Sequence, residues 1–186
     1  MATAVLVGYL LGSIPIAYLV TRSRGVNILE VGTRNPGAAN VFRTVSRPLG
    51  VFVLSVDVLK GVAAVAMANA LGVPAPIVAI AGAACVIGHW YPVFLRFRGG
   101  AGAAIAGGAI IGLSPVAGVI ASAVTLVAII FMRNTGRAGG VGFIAFVVAS
   151  IPTAAWATVA GAALMAGMVV LRASYVRMLD RRRGAG

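Results

Sequence analysis

Seven apolar segments, separated by polar connections, account for most of this chain. They cover residues 4–20, 49–71, 77–95, 103–113, 116–132, 141–150 and 153–171. A hydrocarbon core about 30 Å thick requires roughly 20 apolar residues per crossing helix, and several segments have that length without a charge. We therefore predict an all-α, polytopic membrane protein with about seven transmembrane helices, built as a single domain over residues 1–186.

Two of the segments are too short to cross a bilayer unaided. Residues 103–113 and 141–150 number about ten each, which at 1.5 Å per residue spans about half of the hydrocarbon thickness. Either flanking residues extend these two helices, or the helices lie where the bilayer is locally thinned or where other protein segments surround them.

The composition agrees with lipid as the main solvent. Hydrophobic residues make up 61% of the 186 and charged residues 10%, against roughly 45–50% and 25% in soluble domains. Glycine is frequent inside the segments, as at Gly107, Gly108 and Gly118. Small residues let helix backbones approach closely, so we expect tight helix packing.

Fourteen of the fifteen basic residues lie outside the apolar segments. They form four clusters: Arg22, Arg24, Arg34, Arg43 and Arg47; Arg96 and Arg98; Arg133 and Arg137; and Arg172, Arg177 and Arg181 to Arg183. Basic and uncharged connections alternate, and the positive-inside rule places the basic ones in the cytoplasm. This predicts an outside N-terminus, an inside C-terminus with a basic tail over 172–186, and a multi-pass protein of the bacterial inner membrane. The net charge of +12 then reflects topology, and we expect no nucleic-acid partner.

The longest connection, residues 21–48, is where we expect chemistry. It includes a glycine-flanked turn with a hydroxyl, two amides and an arginine, at Thr33, Asn35, Asn40 and Arg43. Exposed backbone N–H groups in such a turn, with an arginine nearby, suit a phosphate oxyanion. The alternative is an ordinary solvated loop, because loops are often rich in Gly and Asn.

A second candidate site joins a helix end to a glycine-rich loop. It contains His89, Arg96, Arg98, Gly99, Gly100 and Gly102. A glycine loop that leads into a helix N-terminus favours anion binding, although this one matches neither a P-loop nor a dinucleotide fingerprint. His89 is the only histidine, which excludes a His-based metal cluster and leaves either a hydrogen-bonded structural residue or a base.

Asp57 and Lys60 are the only charged pair inside an apolar segment. Placing a charge in a membrane segment costs at least about 2.5–3.5 kcal/mol, so we expect the pair to have a structural or functional role. Their spacing places them on one helix face, where they neutralise one another. They either lock helices together as a buried ion pair or orient substrate-binding residues.

Together these motifs resemble the membrane acyl-phosphate:glycerol-3-phosphate acyltransferase family. The resemblance covers about the first 110 residues. The matching positions are Gly12-Ser13-Ile14-Pro15; Gly32, Asn35, Gly37, Ala38, Asn40 and Arg43; Asp57, Lys60 and Gly61; and Gly88, His89, Pro92, Phe94, Phe97, Gly99, Gly100 and Gly102.

The resemblance implies transfer of a fatty acyl group from acyl phosphate to the 1-hydroxyl of glycerol 3-phosphate, giving lysophosphatidic acid. It implies no metal or nucleotide cofactor, and we expect a monomer. The catalytic residues would be His89, Thr33, Asn35 and Arg43, with the hydroxyl proton passing to His89 or to substrate phosphate. The substrate-binding residues would be Asn40, Asp57, Lys60, Gly99, Gly100, Gly102, Arg96 and Arg98.

The chain departs from the family pattern at several motif positions. Thr33 stands for Ser and Arg34 for Gly, while Ala101 stands for Lys. Leu171 and Ser174 stand for the His and Asn of a C-terminal motif. Arg34, Arg96 or Arg98 could compensate for the missing lysine. The alternative is a weak or inactive paralogue that binds lipid or phosphate, or a small transporter.

Overall fold

The computed structural model describes residues 1–132, 135–151 and 156–183, and throughout these ranges the regular structure is helical. The elements are α1 (Ala2–Ser13), α2 (Ile16–Arg22), α3 (Ala38–Thr44), α4 (Arg47–Ala70), α5 (Ala75–Trp90), a 3₁₀ turn (Val93–Leu95), α6 (Ala103–Leu113), α7 (Pro115–Met132), α8 (Thr135–Ser150) and α9 (Trp156–Arg183). The predicted all-α class is confirmed.

Within the described residues, four helical stretches are long and apolar enough to cross a membrane. They are Ala2–Arg22, Arg47–Ala70, Ala75–Leu95 and Pro115–Met132. Three shorter apolar helices accompany them, at Ala103–Leu113, Arg137–Ser150 and Trp156–Arg172. These seven stretches correspond to the seven predicted apolar segments and make the chain a polytopic membrane protein, while the number of crossings and their direction remain predictions.

The first apolar segment is interrupted, and the prediction of one helix over 4–20 was wrong in this respect. Helix α1 ends at Ser13 and α2 begins at Ile16. Pro15 has no N–H to donate, and it pushes the preceding residue away from helical geometry. Ile14 accordingly has ψ 113°, an extended conformation. The interruption borders a narrow void beside His89.

Glycines bring α1 and α5 into backbone contact. A methyl group added at Gly8 or Gly12 would collide with the carbonyl groups of Ala81 or Cys85 on α5, and one added at Gly88 would meet Tyr9 on α1. The tight packing predicted from the small residues is confirmed at this interface.

The polar stretch 21–48 contains a short helix that the sequence interpretation missed. Helix α3 follows an extended Gly37 and buries Val41 against Ala17, Ile28 and Val53. This small apolar cluster fixes the connection on α2 and α4, so the loop that carries the polar motif rests on a packed base.

Two boundaries in the C-terminal half also differ from prediction. We expected a loop over 133–140, but α8 begins at Thr135; residues 133–134 lie outside the described ranges. Gly142 packs closely against Ala121 and Thr125 of α7, and this packing outweighs the weak helix propensity of the glycines. The predicted tail over 172–186 is helical to Arg183, because neither Gly nor Pro interrupts the chain before Gly184.

Candidate active site

A cavity of about 480 Å³ opens between the polar stretch, the glycine-rich loop and α9. It is lined by Leu29, Arg34, Pro36, Phe97, Arg98, Gly99 and Arg172. Three of these carry guanidinium groups, and none of the described lining residues is acidic. We call this feature the three-arginine cavity. Its concentration of positive charge favours an anionic ligand.

The backbone around the cavity is held in an uncommon conformation. Arg34 has φ 57° and Phe97 has φ 62°, both in the left-handed region. For a residue with a side chain this region costs roughly 1–2 kcal/mol. Such strain persists only where the surrounding structure imposes it, and it concentrates at functional sites.

Asn40 organises the turn that presents Arg34. Its buried side chain accepts a hydrogen bond from the N–H of Thr33 at 3.1 Å and donates one to the carbonyl oxygen of Val31 at 3.0 Å. These contacts hold both sides of the turn. Asn40 therefore has a positioning contact in this structure, and substrate contact by Asn40 remains a prediction.

The other predicted residues of this stretch divide between the cavity margin and the exposed surface. Asn35 adjoins the lining residue Pro36, and its Oδ1 is buried with no hydrogen-bond partner. Arg43 is exposed, and its Nε donates to the carbonyl of Ala39 at 3.1 Å. Thr33 is exposed too. Neither Thr33 nor Arg43 belongs to the described lining of the cavity.

The glycine-rich loop folds back over the end of α5. The N–H of Gly100 donates to the carbonyl of His89 at 3.1 Å, and Nε1 of Trp90 donates to the carbonyl of Ala101 at 2.8 Å. A methyl group at Gly100 would collide with the imidazole Nε2 of His89. The loop backbone therefore lies directly against the histidine, and only glycine permits this approach.

His89 is buried behind the loop and does not belong to the described lining of the cavity. It faces a narrow void of about 10 Å³ whose other walls include Ile14, Pro36, Gly99 and Gly100. Pro36 and Gly99 line both spaces. The imidazole is thus separated from the three-arginine cavity by these two residues.

Asp57 and Lys60 form an ion pair, with 3.3 Å between Oδ1 and Nζ. Both side chains are buried, and Nζ of Lys60 also donates to the carbonyl of Ile14 at 2.8 Å. The pair joins α4 to the interruption between α1 and α2. Neither residue belongs to the described lining of the cavity, and their predicted substrate contact remains a prediction.

The glycine-rich loop contributes Arg98 and Gly99 to the cavity, whereas Arg96 is exposed outside its described lining; substrate contact by all three remains a prediction. Gly102 lies beyond the cavity, with φ 81° and its backbone against the Trp90 indole. Arg172 was not among the predicted site residues, although it lies between Leu171 and Ser174 in the stretch that was compared with the family's C-terminal motif. The available signal was its place at the end of the last apolar segment, on the same predicted face as the other basic clusters.

Comparison with known proteins supplies the family context. The glycerol-3-phosphate acyltransferase family matches residues 2–180. Glycerol-3-phosphate acyltransferase 1 of Deinococcus radiodurans is 39% identical over 180 residues, which is 95% of this chain and 90% of that protein. A glycerol-3-phosphate acyltransferase of Rubrobacter xylanophilus is 43% identical over 134 residues, covering 72% of this chain and 67% of its own length.

Solved structures agree with this similarity. The crystal structure of PlsY (YgiH), an integral membrane glycerol 3-phosphate acyltransferase, in its glycerol 3-phosphate form has a TM-score of 0.83 and 29% identity, and the match covers 97% of this chain and 92% of that one. Its lysophosphatidic acid form has a TM-score of 0.82 and 30% identity.

Proposed function

The chain belongs to the glycerol-3-phosphate acyltransferase family, and we propose that the three-arginine cavity is where it transfers a fatty acyl group from acyl phosphate to glycerol 3-phosphate. The observation that carries the assignment of the site is the convergence of Arg34, Arg98 and Arg172 on one space. The product of the reaction is lysophosphatidic acid, the first acylated precursor of phospholipids.

The cavity matches the chemistry of both substrates. Each carries a phosphate group, and guanidinium groups bind phosphate oxygens through paired, charge-assisted hydrogen bonds. A volume of about 480 Å³ is within the usual range of small-molecule sites. Three arginines are enough to contact two phosphate groups at once and so bring donor and acceptor together.

The reaction needs positioning more than added chemical groups. The hydroxyl oxygen bonds to the acyl carbon, the bond from that carbon to the phosphate oxygen breaks, and phosphate leaves. Because acyl phosphate is already an activated donor, holding the two substrates in contact supplies a large part of the rate. Positive charge and N–H groups near the carbonyl oxygen stabilise the negative charge that develops there. Gly99, which lines the cavity, belongs to the loop best placed for this role.

The hydroxyl proton passes to an oxygen of substrate phosphate in the mechanism that we favour. His89 lies behind Pro36 and Gly99, outside the described cavity lining, so we assign the proton to the substrate's own oxygens, which would share the cavity with the reacting hydroxyl. We propose that His89 supports the glycine-rich loop from beneath. Asn35, with its unpartnered buried Oδ1, is a candidate acceptor for a glycerol hydroxyl.

We extend the proposal to topology: seven crossings of the bacterial inner membrane, an outside N-terminus, an inside C-terminus and a monomeric chain. Arg34, Arg98 and Arg172 come from three connections that the charge pattern assigns to the cytoplasm, and their meeting in one cavity supports placing all three on one side. A reporter fused after Gly186 is expected to read cytoplasmic, and a periplasmic signal would overturn the orientation.

The experiment that tests the site is an acyl-transfer assay. Purified protein is incubated with palmitoyl phosphate and labelled glycerol 3-phosphate, and lysophosphatidic acid is measured. We expect Arg98→Ala to lose at least about tenfold in kcat/KM, since a charge-assisted hydrogen bond is worth about 1.5–3 kcal/mol. Arg24→Ala, an exposed arginine outside the described cavity lining, is the matched control. Equal activity of Arg98→Ala and wild type would refute the assignment of the reaction to this cavity. If the wild-type protein binds the phosphate substrates but forms no lysophosphatidic acid, the proposed acyltransferase activity is refuted.

A further inference from the structure

The guanidinium of Arg172 lies across two aromatic rings at the end of α5. Its central carbon is 5.2 Å from the ring centroid of Tyr91 and 5.8 Å from that of Trp90. Its Nη1 also donates to the hydroxyl oxygen of Tyr91 at 3.4 Å. Cations within about 6 Å of an aromatic ring face are attracted by the ring quadrupole. We call Trp90 and Tyr91 the aromatic pair.

The aromatic pair is itself anchored on both sides. The hydroxyl of Tyr9 on α1 donates to the carbonyl of Tyr91 at 2.9 Å. The indole N–H of Trp90 donates to the carbonyl of Ala101 in the glycine-rich loop. The backbone of Tyr91 is therefore tied to the first helix, and the indole of Trp90 is tied to the loop that forms one wall of the cavity.

Arg172 differs from the other two cavity arginines in the part of the chain from which its side chain reaches the cavity. Arg34 and Arg98 belong to the connections whose backbone forms the cavity wall, whereas Arg172 reaches the cavity from α9. A long, flexible side chain on a separate helix must lose rotamer freedom before it can bind a ligand. Contacts that hold it in place beforehand reduce this loss when the ligand arrives.

We propose that Tyr91 is a positioning residue that holds the Arg172 guanidinium at the cavity wall, ready to bind a phosphate group. The proposal rests on the proposed function and adds a residue to it. The ring of Tyr91 provides the larger contact and the hydroxyl the smaller one, because 3.4 Å is long for a hydrogen bond. The sequence pattern gave no reason to single out Tyr91.

The test compares Tyr91→Leu, which removes the ring, with Tyr91→Phe, which keeps it. We expect Tyr91→Leu to raise the KM of one phosphate substrate by about three- to tenfold, the range for losing a cation–π contact, with kcat nearly unchanged. Tyr91→Phe is expected to change KM by less than about twofold, because the ring face remains. Varying glycerol 3-phosphate and palmitoyl phosphate separately shows which phosphate Arg172 binds.

A double-mutant comparison separates positioning from general packing. Arg172→Ala is expected to raise KM more than Tyr91→Leu does, and adding Tyr91→Leu to Arg172→Ala is expected to change KM no further. Arg172→Gln, which keeps much of the side-chain volume without the charge, should also become insensitive to Tyr91→Leu and serves if the alanine variant does not fold. Tyr18→Leu, on α2 outside the described cavity lining, is the matched control.

The possible failures are distinguishable. If Arg172→Ala raises KM but Tyr91→Leu leaves it unchanged, or if the two effects add, Tyr91 does not position Arg172 and the cavity assignment stands. If Arg172→Ala and Arg98→Ala both leave turnover unchanged in an active enzyme, the cavity assignment itself fails and this proposal falls with it. A fall in kcat with unchanged KM for Tyr91→Leu also refutes positioning for substrate binding.

Discussion

The ammonium group of Lys60 donates a hydrogen bond of 2.8 Å to the carbonyl oxygen of Ile14, at the point where Pro15 interrupts the first helix. In a continuous helix the N–H of Tyr18 would donate to the carbonyl oxygen of Ile14. Because Pro15 interrupts the helix, that oxygen instead accepts hydrogen bonds from the N–H of Ile16 and from Lys60. Asp57 neutralises the lysine at 3.3 Å. The buried charges therefore stabilise a helix break whose residues form one side of the void around His89.

Replacing Lys60 with Met tests this relationship. The change leaves the Asp57 carboxylate buried without its partner, which is expected to lower the free energy of unfolding by about 3–5 kcal/mol. Thermal unfolding in detergent measures the effect. The double variant Asp57→Asn, Lys60→Met removes both charges and is expected to recover a large part of the loss. An unchanged melting temperature for Lys60→Met would show that the pair does not support the break.

Arg34→Gly is expected to change stability and substrate binding in opposite directions. Glycine adopts φ 57° without the steric penalty, so the free energy of unfolding of the variant is expected to rise by about 1 kcal/mol. Loss of the guanidinium is expected to raise the KM of a phosphate substrate by about tenfold or more.

Two measurements on purified Arg34→Gly, the melting temperature and the KM of each substrate, decide the outcome. Arg24→Ala again serves as the control for removing an exposed positive charge. If Arg34→Gly binds both substrates as well as the wild type does, the residue merely faces the cavity and contributes nothing to phosphate binding.

Gly100→Ala is expected to impair activity through the histidine beneath the loop. The added methyl group would collide with the imidazole of His89, so the glycine-rich loop must lift from α5. We expect kcat/KM to fall by at least about tenfold, because displacements of about 1 Å at a reacting site can cost a hundredfold. Gly107→Ala is the matched control: nothing lies near that position, and alanine there favours the helix. Normal activity of Gly100→Ala would show that the loop is not held against His89.

The sequence predicted helices and polar motifs well, and its failures have local causes. The apolar segments are long-range patterns, so their existence was readable even where their ends moved. The break at Pro15 was readable as well, but a pattern of apolar residues alone spans it. The positioning contacts of Asn40 were not predicted, because its hydrogen bonds to Thr33 and Val31 depend on how the turn closes, which no spacing reveals.

The composition of the cavity was the least predictable feature. Arg34, Arg98 and Arg172 lie far apart in the chain, and the packing of α9 against α5 and α6 brings the last of them to the other two. Fourteen arginines share the predicted cytoplasmic face, so charge alone could not select these three.

A paired substitution tests whether Arg34 replaces the cation that the family pattern places at position 101. Here Ala101 occupies that position between two glycines of the loop, and Arg34 occupies a family glycine position. If the positive charge has moved from the glycine-rich loop to the turn at Arg34, the double variant Arg34→Gly, Ala101→Lys is expected to recover the substrate KM to within about threefold of wild type. The lysine would restore the lost charge-assisted hydrogen bonds. Ala101→Gln in the same background is the uncharged control, and equal recovery with Gln would show that charge is not what Arg34 supplies. Ala101→Lys leaves the backbone carbonyl of residue 101 available to Trp90, so the loop anchor is retained while the charge is tested.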